Sequence, residues 1–189
     1  PLTNRLALLP ALTLGGAGGG AVETGGGFVA RANLGLEYRL SPDLSMIMEG
    51  GYLSAPDGAF DTPYVGFNLA YVMENFAQDQ KGAPLTETDD VIQTNKWRFR
   101  PAHQWYFDAQ RKDSSSRDMQ LLGGKIDWMG GDWWYLTGQG LSAYEGGAGG
   151  YSEGHWGVGI LGPSWNNWQI YGEMLIGAGG GGGVDSGSA

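Results

Sequence analysis

Cysteine is missing from this chain of 189 residues, so neither a disulfide scaffold nor thiolate chemistry is open to it. Long apolar runs are missing as well. No stretch of 18 apolar residues occurs, which excludes a transmembrane helix. Basic residues are sparse and scattered, 11 against 20 acidic ones for a net charge of −9. Phosphate recognition needs clustered Lys and Arg, so nucleic acid is not an expected partner. The sequence opens at Pro1 without an initiator Met or a signal peptide, and reads as a mature, processed or truncated chain. What is abundant is glycine, 36 residues where an average domain would carry about 7%. Aromatic residues reach 12%, with eight Trp and nine Tyr. Disordered glycine-rich chains are poor in aromatics, whereas short strands joined by glycine turns and edged by aromatics suit closed β architectures.

The two ends of the chain share a pattern. Shifted by 162 positions, Leu6 to Gly27 lies over Trp168 to Ala189 without a gap. Leu6, Leu8, Leu12 and Leu14 fall on Trp168, Ile170, Met174 and Ile176, a glycine run follows, and Val22-Glu23-Thr24-Gly25 falls on Val184-Asp185-Ser186-Gly187. Two glycine-rich loops can match by composition alone. A genuine repeat would make the chain one period of an array or a window on something larger.

Period-two alternation dominates the rest. From Phe28 to Leu40 one face carries Phe28, Ala30, Ala32, Leu34, Leu36, Tyr38 and Leu40, and the other carries Arg31, Asn33, Glu37 and Arg39. No helix has that period. Ser41-Pro42-Asp43 supplies a turn, and further strands are expected at Leu44 to Leu53, Tyr64 to Glu74, Trp97 to Ala109, Met119 to Trp128, Trp133 to Tyr144, Glu153 to Leu161 and Asn167 to Ala178. Arg5 to Leu14 mirrors the last of these, giving nine strands of which eight are distinct. Both equivalents cannot sit beside the Phe28 strand in one eight-stranded sheet, so one of them is expected to be displaced or paired elsewhere. Connectors alternate between short turns and longer loops at opposite strand ends, the layout of an antiparallel up-and-down barrel of about 8 strands (8 to 10). The long acidic stretch 75–94 breaks this rhythm. It reads as a linker or loop between residues 1–74, the end of one repeat-like unit, and residues 95–189, the start of the next, in which 168–189 repeat 6–27.

Alternation does not say which face is outside. Charges of both signs occupy mid-strand positions on the polar faces: Arg31, Glu37, Arg39, Glu49, Arg98, Arg100, Lys125, Asp127, Glu153 and Glu173. A barrel of eight strands is too narrow for an open channel, so Arg31, Glu37, Arg39, Glu49, Lys125, Asp127 and Glu173 are assigned to a charged interior plug. Phe28, Leu34, Leu36, Val65, Phe67, Leu69, Trp156, Val158 and Ile160 are then outward. Trp97, Trp128, Trp133, Trp134, Tyr144, Tyr151, Trp165 and Trp168 gather near strand ends, as an interfacial aromatic girdle would.

In the stretches ANLGLEYRLSPDLSMIMEGGYLSAPDG and PYVGFNLAYVMENF, with the aromatic Phe76 close behind a strand, the sequence resembles small bacterial outer-membrane β-barrel proteins. The resemblance covers most of the chain and is one of rhythm. It implies an antiparallel barrel in the outer membrane, with membrane lipid or lipopolysaccharide as its surroundings. Members of that family end at the terminal aromatic strand, whereas this chain runs on past Phe76 to Ala189.

Chemistry-bearing motifs are few. His103 and His155 stand on different strands without metal-ligand spacing, and no serine sits beside either. Gly180 to Asp185 fits the opening of a calcium-binding β-roll repeat, a motif that acts through stacked copies. Neither glycine tract is followed by the Lys-Ser or Lys-Thr of a phosphate loop. No enzyme activity, cofactor or metal is expected. The reading is a non-enzymatic envelope barrel with a structural, assembly or binding role, in a homo-oligomer or polymer. The alternatives are an envelope lipid or glycan hydrolase and a soluble carbohydrate-binding β-sandwich.

Overall fold

The computed structural model describes residues 5–16, 28–74, 96–148, 150–165 and 168–179. Nine strands follow one another: β1 (Leu6–Gly16), β2 (Phe28–Arg39), β3 (Leu44–Ser54), β4 (Asp61–Glu74), β5 (Lys96–Gln110), β6 (Ser116–Met129), β7 (Trp134–Glu145), β8 (Ser152–Trp165) and β9 (Trp168–Gly179). Among the described residues there is no helix. Each strand pairs with the next, and β1 pairs with β9 to close the barrel. Every pairing is antiparallel except the closure, where β1 and β9 run in the same direction.

That closure corrects two expectations. The sheet is mixed instead of wholly antiparallel, and neither end strand is displaced, all nine standing in one ring within the expected range of 8 to 10. The equivalent first and last strands do not compete in it; they lie side by side. Leu6 pairs with Trp168, Leu8 with Ile170, Leu12 with Met174 and Leu14 with Ile176, so the offset of the ladder is the offset of the sequence repeat. Residues opposite one another in a ladder point to the same face, and two parallel neighbours in register must therefore alternate in step. β4 pairs directly with β5, so strands from both sides of residues 75–94 belong to the same ring. Those residues, Phe76 among them, and the glycine-rich segments 17–27 and 180–189 lie outside the described residues.

Five ladders skip positions, and in three of them the gap contains a proline. β1 and β9 are unpaired at Leu9 and Pro10, β4 and β5 opposite Arg100 and Pro101, and β8 and β9 at Gly162 and Pro163. Proline has no N–H to give a ladder. The sequence places a turn between the strands expected at Glu153 to Leu161 and Asn167 to Ala178; β8 instead runs to Trp165 through this irregularity. A bulge between Tyr106 and Ala109 bends β5, and there Asp108 adopts φ 51° while its N–H donates to Asp118 Oδ1 at 3.0 Å.

The interior is layered along the barrel axis. At the end carrying the longer loops, Phe60, Tyr64, Tyr106, Met119, Leu121, Leu141 and Tyr151 form an apolar and aromatic cap. At the opposite end Ala7, Leu9, Ile47, Ala70, Tyr135 and Tyr171 form another. Charged side chains fill the space between them.

Candidate functional site

Two linked polar clusters make up the middle of the barrel. In the first, Arg31 Nη1 of β2 reaches Glu153 Oε1 of β8 at 3.0 Å and Gln104 Oε1 of β5 at 3.2 Å. Tyr106 and Tyr151 hydroxyls donate to Glu153 at 3.0 and 3.1 Å, and the Arg31 guanidinium lies 5.3 Å from the Tyr64 ring centre. Gln104 and Asn33 donate to Glu49 at 2.7 and 3.2 Å. In the second, Asp127 of β6 is gripped by Arg98 Nε and Arg100 Nη2, each at 2.7 Å. Glu173 of β9 takes Arg100 at 2.9 Å, the Tyr135 hydroxyl at 2.7 Å and the Lys125 ammonium. Glu37 lies within ion-pair range of Arg98 and Arg39, and Arg39 donates to Gln169 at 3.0 Å.

All seven charged residues assigned to the interior by sequence stand inside the wall, and the same network takes in Arg98, Arg100 and Glu153. Counted over these strands the network is neutral, with five basic and five acidic members. Neutral pairing is what permits such burial, because an isolated charge in a low-dielectric interior costs several kcal/mol or more. What sequence reasoning missed are the buried tyrosines, Tyr64, Tyr106, Tyr135, Tyr151 and Tyr171, which supply hydroxyls and ring faces to those charges. Their parity was the available signal, since Tyr106 alternates in step with Gln104, Arg100 and Arg98.

The outer wall has the opposite character. Met48 is 66% exposed, Trp156 64% and Met174 62%, while Asp127 inside is 0%. Phe28, Leu34, Leu36, Val65, Phe67, Leu69, Val158 and Ile160 are exposed on the same surface. Along β4, Pro63, Val65, Phe67, Leu69, Tyr71 and Met73 form an unbroken outward apolar line. At about 3.3 Å per residue and a tilt of about 40°, that line is about 25 Å tall, the height of a lipid-facing band in a membrane barrel.

Aromatic residues mark the edges unevenly. Trp97 pairs with Trp128, and the Trp128 and Trp134 rings meet edge to face at 5.8 Å beside exposed Trp133, all at the short-turn end. Trp165 and Trp168 are ladder partners at that same end. Tyr144 is at the other end, on the outer wall. Tyr151 corrects the sequence assignment: it is 0% exposed, inside the loop-end cap, because its hydroxyl satisfies Glu153.

Comparison with family models, with curated proteins and with solved structures gave no match.

His103 sits on the outer wall, with Nε2 within 3.1 Å of Gln120 Oε1 and 3.0 Å of the Tyr144 hydroxyl. Ser142 Oγ meets Ser152 Oγ at 2.9 Å. His155 is buried inside, two positions after Glu153, and its Nδ1 has no hydrogen-bond partner among the described residues. Neither histidine is hydrogen-bonded to a serine among the described residues. Among the described residues no group of three or more His, Asp or Glu side chains is placed to hold a metal ion.

Proposed function

We propose that this chain is a membrane-embedded β-barrel of the bacterial outer envelope, structural or binding in role, with lipid or lipopolysaccharide as its surroundings. The observation that carries the reading is the inversion of the wall: charges and amides are buried in a neutral interior, while Leu, Met, Phe, Val and Trp side chains cover the outside. A water-soluble barrel gains its stability by burying the apolar face. Soluble monomers rarely expose a continuous apolar patch of more than a few hundred Å², whereas here large apolar side chains are exposed on every strand from Leu12 to Ile176. The closed ring leaves no unpaired strand edge, which a bilayer would not tolerate. Interfacial Trp residues at the short-turn end suit the headgroup level. Contacts between copies along this wall would suit a homo-oligomer equally well.

The test is purification without detergent, followed by insertion into vesicles made with brominated lipids. The expected outcome is aggregation in buffer, a folded β spectrum in detergent, and tryptophan quenching that depends on bromine depth. A monodisperse monomer in plain buffer would sink the proposal.

A further inference from the structure

β1 and β9 are interchangeable in more than pattern. They point the same way, they alternate in step, and each ladder pair between them keeps one offset from Leu6 with Trp168 to Gly16 with Ala178. On its other side β1 pairs with β2, Leu12 opposite Ala32 and Leu14 opposite Ala30. If β9 moved across by one strand, Met174 would stand opposite Ala32 and Ile176 opposite Ala30, apolar against apolar on the outer face. The pairing would be antiparallel, because β9 has the direction of β1.

The interior would lose little by the move. Ala7, Leu9 and Ala11 are the buried apolar residues that β1 contributes, and the hydroxyl of Thr13, also buried, has no hydrogen-bond partner among the described residues. The ion pairs that fill the barrel are made by residues of β2, β5, β6, β8 and β9. Glu49 of β3 adds its amide partners. β1 supplies none of them. Its attachment to β9 is a parallel ladder, slightly weaker per residue than an antiparallel one, and it is broken at Pro10.

We propose that β1 is a displaceable strand, and that β9 can take its place beside β2 to close the barrel as eight strands, all antiparallel. Eight strands make a ring just wide enough for side chains to fill. One ladder, β9 on β2, then replaces two, so the nine-stranded ring is the ground state and the eight-stranded ring a minor one that any weakening of β1 should populate. The inference concerns strand exchange and stands apart from the membrane reading.

The chain has no cysteine, so paired cysteines report the exchange cleanly. Ala32→Cys with Met174→Cys places two thiols on either side of β1, with Cα atoms about 9–10 Å apart across two strand spacings, beyond the ~7 Å a disulfide spans. In the eight-stranded ring the two would be direct neighbours. Leu36→Cys with Phe67→Cys is the control, likewise separated by one strand, here β3 with Met48 between them. Both pairs would be oxidised in the full chain and in the full chain carrying Ala11→Pro and Thr13→Pro, which weaken β1. The 32–174 pair should cross-link faster than the control in both, and about tenfold faster with the prolines than without, the sheet circular dichroism being retained. Equal rates for the two pairs in the proline-bearing chain would overturn the proposal. Loss of the sheet in that chain would overturn it too, since a barrel that cannot stand without β1 has no second closure.

Discussion

Asp127 shows what a single side chain does in this interior. It sits between two arginines, each at 2.7 Å, and no water reaches it. Asp127→Ala would leave Arg98 and Arg100 facing one another across an emptied site. Breaking a buried pair in this way costs about 3–5 kcal/mol, because the remaining charge is uncompensated. Denaturant titration in detergent should show that loss, and a loss under about 1 kcal/mol would mean that water reaches the arginines. Glycines divide by the face they point to. A Cβ at Gly123 would run into the carbonyl of Gly140, whereas one at Gly140 meets nothing within 4 Å. Gly123→Ala should therefore destabilise the fold, while Gly140→Ala should stay within about 0.5 kcal/mol of the parent in the same titration. The charged positions were legible from alternation alone, because mid-strand Arg31 or Lys125 has only two faces to choose between. Tyr151 was not, since a ring with a hydroxyl suits an interface and a buried carboxylate equally well.

Elements were easier to read than their partners. All nine strands lie where the period of two places them, with ends differing by a few residues, because turn residues such as Ser41-Pro42-Asp43 punctuate them clearly. Direction is another matter. Parallel and antiparallel neighbours obey the same parity, so nothing in the alternation of Leu6 to Leu14 says which way its partner runs. The repeat offset held the register of the closure, but an offset by itself has no ring to belong to. Prolines then decide where the ladders are thin. Amides next to Pro10 and Pro101 should exchange with solvent deuterium faster than those in the unbroken middle of the β2–β3 ladder, such as Leu34 and Gly35. Uniform protection along all ladders would show that the skipped pairs carry no weakness.

At the scale of the molecule, the barrel is a filled cylinder. Both ends are capped by aromatic and apolar residues, and the charges between them are paired across the lumen. Reconstituted in a planar bilayer, the protein should leave the membrane tight to ions; steady single-channel steps of porin size would contradict the packed interior. The strand count has a further effect on traffic across the wall. In a ring of even number the chain enters and leaves on one side, as a hairpin does. Here nine strands bring it in at the short-turn end, before Leu6, and out at the long-loop end, after Gly179. On the proposed membrane reading, peptide tags inserted just before Leu6 and just after Gly179 should be shielded from added protease on opposite sides of a vesicle wall, and shielding of both tags together would contradict the odd count.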